Sequence, residues 1–143
     1  MRMQQSLSLA AALAAVGLVA ANSALAIPIR NLPPEETQGA VTYRTGGIGQ
    51  SEAAAMKQAE NNYPLSLEFI AKAEPRNWFL ANVEVTIKNS KGATALKTFS
   101  DGPMLLATLP DGRYIITATD NGKSETRRVN VAAGKPQHLV FEW

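Results

Sequence analysis

Leu109-Pro110-Asp111-Gly112, running into Arg113 to Thr119, constrains this chain more than any other stretch. Pro110 presets φ at the first corner of a turn, and Gly112 accepts the positive φ that the end of a turn often demands. Tyr114, Ile116 and Ala118 then fall on one face of an extended segment, and Arg113, Ile115, Thr117 and Thr119 on the other. A tight turn feeding a two-faced strand marks a small antiparallel β-domain. It fixes architecture far better than activity.

The same alternation recurs. Leu65, Leu67 and Phe69 alternate with Ser66 and Glu68, and Val83, Val85 and Ile87 with Glu84, Thr86 and Lys88. Asn89-Ser90-Lys91-Gly92, Asp101-Gly102-Pro103 and Asp120-Asn121-Gly122 are turns between further strands, and Gln137 to Trp143 is the last, with Leu139, Phe141 and Trp143 on one side. Before them, Val41 to Arg44 reads as a short strand and Thr45 to Gly49 as a glycine loop. Ala53 to Asn61 is then a helix capped by Ser51, favoured at its start by Glu52 and ended by Pro64. Met56, Ala59 and Tyr63 share one helix face. The sequence thus predicts a mainly β fold: a single seven-stranded antiparallel β-sandwich, prealbumin-like or Ig-like, preceded by one short helix.

Residues 1–26 carry the signature of a signal peptide. Arg2 lies in a short polar start, Leu7 to Ala21 is apolar and uncharged, and Ala24-Leu25-Ala26 suits cleavage after Ala26. That apolar run is shorter than the ~20 residues of a membrane span. With no Cys in the chain, neither lipidation at a cysteine nor disulfides enter, and thiolate chemistry is excluded. The expected location is the periplasm or the exterior, with no membrane anchor in the mature chain. Removing Arg2 leaves thirteen basic against twelve acidic residues, a formal charge of +1 without charge blocks, which argues against nucleic acid as a partner. Four segments follow: the leader at 1–26, a flexible Pro-rich segment at 27–40, the glycine loop and short helix at 41–64, and the sandwich at 65–143.

Val83 to Ile87, Asp101-Gly102-Pro103 and Leu109 to Tyr114 together resemble the carboxypeptidase regulatory-like domain, a prealbumin-like seven-stranded sandwich. The likeness covers about Asn82 to Val131. Tyr43-x-x-Gly46-Gly47-Ile48-Gly49-x-x-Glu52, Tyr63-x-Leu65-x-Leu67-x-Phe69 and Phe141-x-Trp143 further resemble small exported proteobacterial proteins known by that domain name alone. Pro64 departs from the Asn-like residue of that pattern. The resemblance implies a fold and no activity. A carboxypeptidase needs a separate catalytic domain with His and Glu zinc ligands, and this chain has one His.

No stretch announces catalysis, a cofactor or a metal. Gly46-Gly47-Ile48-Gly49 precedes a helix but lacks the Lys-Ser/Thr of a phosphate loop, so it reads first as a turn folding the helix back. If the chain binds a protein, Tyr43, Gly46, Gly47, Ile48, Gly49 and Glu52 are the expected surface, since loops on rigid scaffolds carry function. Trp78 and Trp143 are the candidates for stacking on a glycan, with burial at the sandwich edge as the plainer role. His138, opposed in phase to Leu139, reads as surface-facing, and Arg127-Arg128 as a solvated strand edge. The expected function is a non-catalytic module binding a periplasmic or envelope protein. A carbohydrate- or peptidoglycan-binding module is the alternative, and a small hydrolase ranks last.

Overall fold

The alternating stretches become strands where the pattern places them. The computed structural model describes residues 31–143, so the leader and its cleavage site after Ala26 lie outside the described residues. In chain order the elements are β1 (Glu36–Gln38), β2 (Val41–Gly46), α1 (Gln50–Ala59) with a 3-10 turn (Glu60–Asn62), β3 (Leu65–Ala71), β4 (Trp78–Phe79), β5 (Val83–Asn89), β6 (Thr94–Ser100), β7 (Met104–Thr108), β8 (Gly112–Asp120), β9 (Lys123–Val131) and β10 (Gln137–Glu142). One sheet runs β1-β2-β7-β3-β10, with β4 also paired to β3, and the other runs β6-β5-β8-β9. Between them Leu65, Leu67, Phe69, Leu105 and Phe141 meet Val85, Ile87, Leu96 and Ile116, all fully buried. The fold is the β-sandwich that the alternation predicts.

Three details differ from expectation. Seven strands run from Leu65 on when the two-residue β4 is set aside, but β1, β2 and β4 bring the total among the described residues to ten. β2 belongs to the sandwich itself, since Val41 and Tyr43 are buried in its core. Nor is the pairing all antiparallel: β10 runs parallel to β3, from Gln137 opposite Leu65 to Glu142 opposite Ile70. Alternation is identical in both directions, so it cannot reveal strand polarity.

The described part of the Pro-rich segment, from Asn31 on, is also more ordered than expected. Its prolines keep it from a central strand, yet Glu36–Gln38 pairs antiparallel with β2 at the sheet's edge. The Gln38 amide grips Lys97 in β6 from both sides, accepting from its N–H at 2.7 Å and donating to its carbonyl at 3.2 Å. Arg44 holds the same segment, donating to the Pro33 carbonyl at 2.6 Å and pairing with Glu35 at 2.9 Å.

Helix α1 lies on the outer face of the first sheet. Met56 and Ala59 pack with Met104 and Leu106, and Leu32 and Tyr63 close the sides. This explains the unbroken apolar run Met104-Leu105-Leu106-Ala107. Leu105 and Ala107 face the sandwich while Met104 and Leu106 face the helix, so β7 is buried on both faces. Ser51 does not cap the helix. Gly49 occupies that position, and no side chain supplies a cap bond there. No helix among the described residues is long and apolar enough to cross a membrane.

Candidate docking groove

The chain leaves β2 at Gly46 and crosses to the helix in three residues, which dictates the glycines. Gly47 and Gly49 adopt φ of +99° and +82°, conformations that L side chains rarely adopt. A methyl group on Gly46 would collide with the Glu52 carboxylate, and one on Gly102 with the main chain of Gly46. Two backbone segments therefore touch where β2 ends and β7 begins. Glu52 braces the loop by accepting the Gly47 N–H at 2.8 Å. Ile48, held between two glycines, is 62% exposed.

Below this loop a groove of about 320 Å³ opens between the start of α1 and the outer sheet face. Gly47 and Gly49 line it with Ala53, Pro103, Met104 and Phe79, and the Lys57–Glu68 ion pair, 3.1 Å long, contributes its polar lining. Phe79 is 69% exposed. With Pro103, Met104 and Ala53 it makes the groove a contiguous apolar surface, the kind that marks interaction sites.

The six loop residues have unequal roles. Ile48 faces outward and Gly47 and Gly49 line the groove, while Gly46 and Glu52 are bracing. Tyr43 is not at the surface: it lies in the sandwich core, so it cannot meet a partner together with Ile48. Its hydroxyl sits 3.5 Å from Thr98 Oγ1, a contact that favours ionisation. Burial and the Glu36 carboxylate outweigh that contact and hold the phenol above its ordinary pKa.

The two tryptophans are not a pair. Trp143 stacks on Phe141 with centroids 6.3 Å apart and donates its indole N–H to the Lys123 carbonyl at 2.9 Å, closing the sandwich's side. Trp78 stands out from β4, and the aromatic ring contacts among the described residues do not include it. Arg127 is also less free than a solvated edge residue, because its guanidinium lies 5.5 Å from the Phe141 ring centroid.

Sequence reasoning missed one polar cluster beneath the end of α1. His138 is surface-facing as expected, but its Nδ1 is 2.8 Å from Ser66 Oγ and its Nε2 3.5 Å from Glu68 Oε2. The parallel pairing of β10 with β3 sets His138 opposite Ser66, so no signal local in sequence could have found it. Although serine, imidazole and carboxylate adjoin one another, Ser66 is only 2% exposed. A substrate carbonyl has no access to that hydroxyl; Glu60 of the 3-10 turn, 3.6 Å from His138 Nδ1, and Lys57 of α1, paired with Glu68, instead tie the cluster to the helix.

No family model and no curated protein matches the chain, so its likeness to the carboxypeptidase regulatory-like domain remains one of strand and turn chemistry. Among solved structures it is similar to GBS52, the minor pilin of the gram-positive pathogen Streptococcus agalactiae. That match is 19% identical at a TM-score of 0.43, covering 55% of this chain and 42% of the pilin. It is also similar to the Bacillus anthracis TIE protein, 25% identical at a TM-score of 0.40, over 55% of this chain and 16% of that one. The chain thus spans less than half of either, and likeness at this level assigns it no partner.

Proposed function

We propose that this chain is an exported, non-catalytic interaction module that docks a protein of the periplasm or envelope through the groove beside Ile48. The apolar groove between two exposed hydrophobics, Ile48 and Phe79, carries this reading. Covering those two side chains contributes at most about 1.5–3 kcal/mol each, which suits a modest contact rather than a permanent one. Export rests on the leader expected at 1–26. Glycan binding is the weaker alternative, since Trp143 is held by Phe141 and Lys123 and leaves Trp78 without a second platform.

The test is in-cell photo-crosslinking from a benzophenone side chain at position 48, with the same group at Lys91 as control. Lys91 lies in the exposed turn between β5 and β6, on the other sheet. A protein trapped at 48 and absent at 91 supports docking at the groove. Equal trapping, or none, rejects it.

A further inference from the structure

Building on that docking reading, we infer that the groove takes an extended segment of the partner protein as an added strand on β4, anchored by the main chain of Phe79. In an antiparallel ladder, alternate residues turn their N–H and C=O toward the neighbour and away from it. Trp78 and Phe79 sit opposite Ala71 and Ile70, and the Leu80 N–H donates to the Phe69 carbonyl at 3.0 Å. Leu80 and Trp78 therefore face β3, and the Phe79 N–H and C=O point away from it, on the side of the groove that Phe79 lines.

The sheet provides the place. β4 and β7 pair with successive halves of β3, and β2, the strand beyond β7, stops at Gly46 opposite Met104. An added strand on β4 would continue the row of β2 beyond Gly46, with Pro103, Met104 and Ala53 lining the groove on that face. Its residue next to Phe79 faces this apolar lining, so the segment carries an apolar side chain there and has no proline at the pairing position.

Both edges of the second sheet are guarded by other means. Gln38 occupies the main chain of β6 at Lys97. Edge strand β9 carries Lys123, Glu125 and Arg127 opposite Asp120, Ala118 and Ile116, charges that discourage pairing on that side. β4 offers Trp78 and Phe79, 67% and 69% exposed, with neither charge nor proline between them. A lipid surface would accept the rings but not the unpaired amide, which has no partner in hydrocarbon. A peptide strand supplies donor and acceptor together.

The experiment keeps the benzophenone at position 48 in the full exported chain and adds Phe79→Pro or Phe79→Leu. Proline removes the outward N–H and breaks no hydrogen bond within the chain, whereas leucine keeps both the N–H and an apolar side chain. Trapping should fall roughly tenfold or more in Phe79→Pro and stay near the parent level in Phe79→Leu. Mass spectrometry of the trapped partner should show an alternating apolar segment. Equal trapping in both variants overturns strand addition while leaving groove docking intact, and equal loss in both assigns the anchor to the ring and also overturns it. No trapped protein in the parent removes both readings. Should Phe79→Pro melt well below the parent, replacing the Phe79 amide by an ester removes the same N–H without altering the side chain.

Discussion

Helix α1 depends on one side chain, so Met56→Ala should release the helix before the sandwich yields. Met56 is fully buried and is the only long apolar residue that the helix sends to the sheet; Ala55 and Ala59 are its other buried positions. Truncating a buried methionine costs about 2–5 kcal/mol in lost contacts and residual cavity. A ten-residue helix is marginal in water by itself, and the sandwich core does not include Met56. The cost therefore falls on local docking. Native-state hydrogen exchange reads it directly: the amides of Ala54 to Ala59 should lose protection roughly thirtyfold to several thousandfold, at about 1.4 kcal/mol per factor of ten. Protection at Val85 and Ile116, in the opposite sheet, should change less than about tenfold. Equal loss at all sites would refute independent docking, and unchanged helix protection would show that Met56 is not the anchor. Because Gln50, Ala53 and Lys57 form one wall of the groove, the variant should also fail to trap a partner from position 48.

Ile116→Asp places an unpaired carboxylate at a fully buried point of the core and should leave no cooperative urea transition, since a cost of several kcal/mol consumes most of a typical 5–15 kcal/mol stability. Gly102→Ala forces a methyl into the main chain of Gly46 and should lower the unfolding free energy by about 1–3 kcal/mol, measured by urea titration. Tyr114 donates to the Pro110 carbonyl at 2.6 Å, and Tyr114→Phe should cost about 0.5–1.5 kcal/mol at neutral pH. Burial, then the Asp111 carboxylate, hold the Tyr114 phenol above its ordinary pKa. The folded state thus keeps the proton longer than the unfolded one, so this contribution is complete below about pH 10 and is lost as pH rises through the folded-state value. Urea midpoints compared at about pH 9 and pH 11 should fall more steeply in the parent than in Tyr114→Phe.

Much of the fold was legible because a β-sandwich writes itself locally. Val83-x-Val85-x-Ile87 and Tyr114-x-Ile116-x-Ala118 face the core as alternation requires, and Met56 and Ala59 share the helix face that meets the sheet, while Tyr63 lies beyond the helix and packs at its side. The site was only half legible. Ile48 stood out as a large apolar residue between glycines, but Tyr43, two residues before the loop's start, turned inward by the same alternation. Phe79 follows no alternation of its own, and only its pairing with β3 at the sheet's end leaves it in the open.

The sequence by itself determined most of the strands of the sandwich, though not β1 or β4, together with the core-facing side of the alternating ones and the main turns. Those properties follow from side-chain period and backbone sterics within a few residues. Only the tertiary structure decided that β10 lies parallel to β3, setting His138 against Ser66, and that β2 stops at Gly46 where Gly102 presses on its main chain. It also decided that the Phe79 main chain points away from β3, because which way a main-chain amide faces depends on strands distant in sequence, and no local pattern encodes what lies beside it.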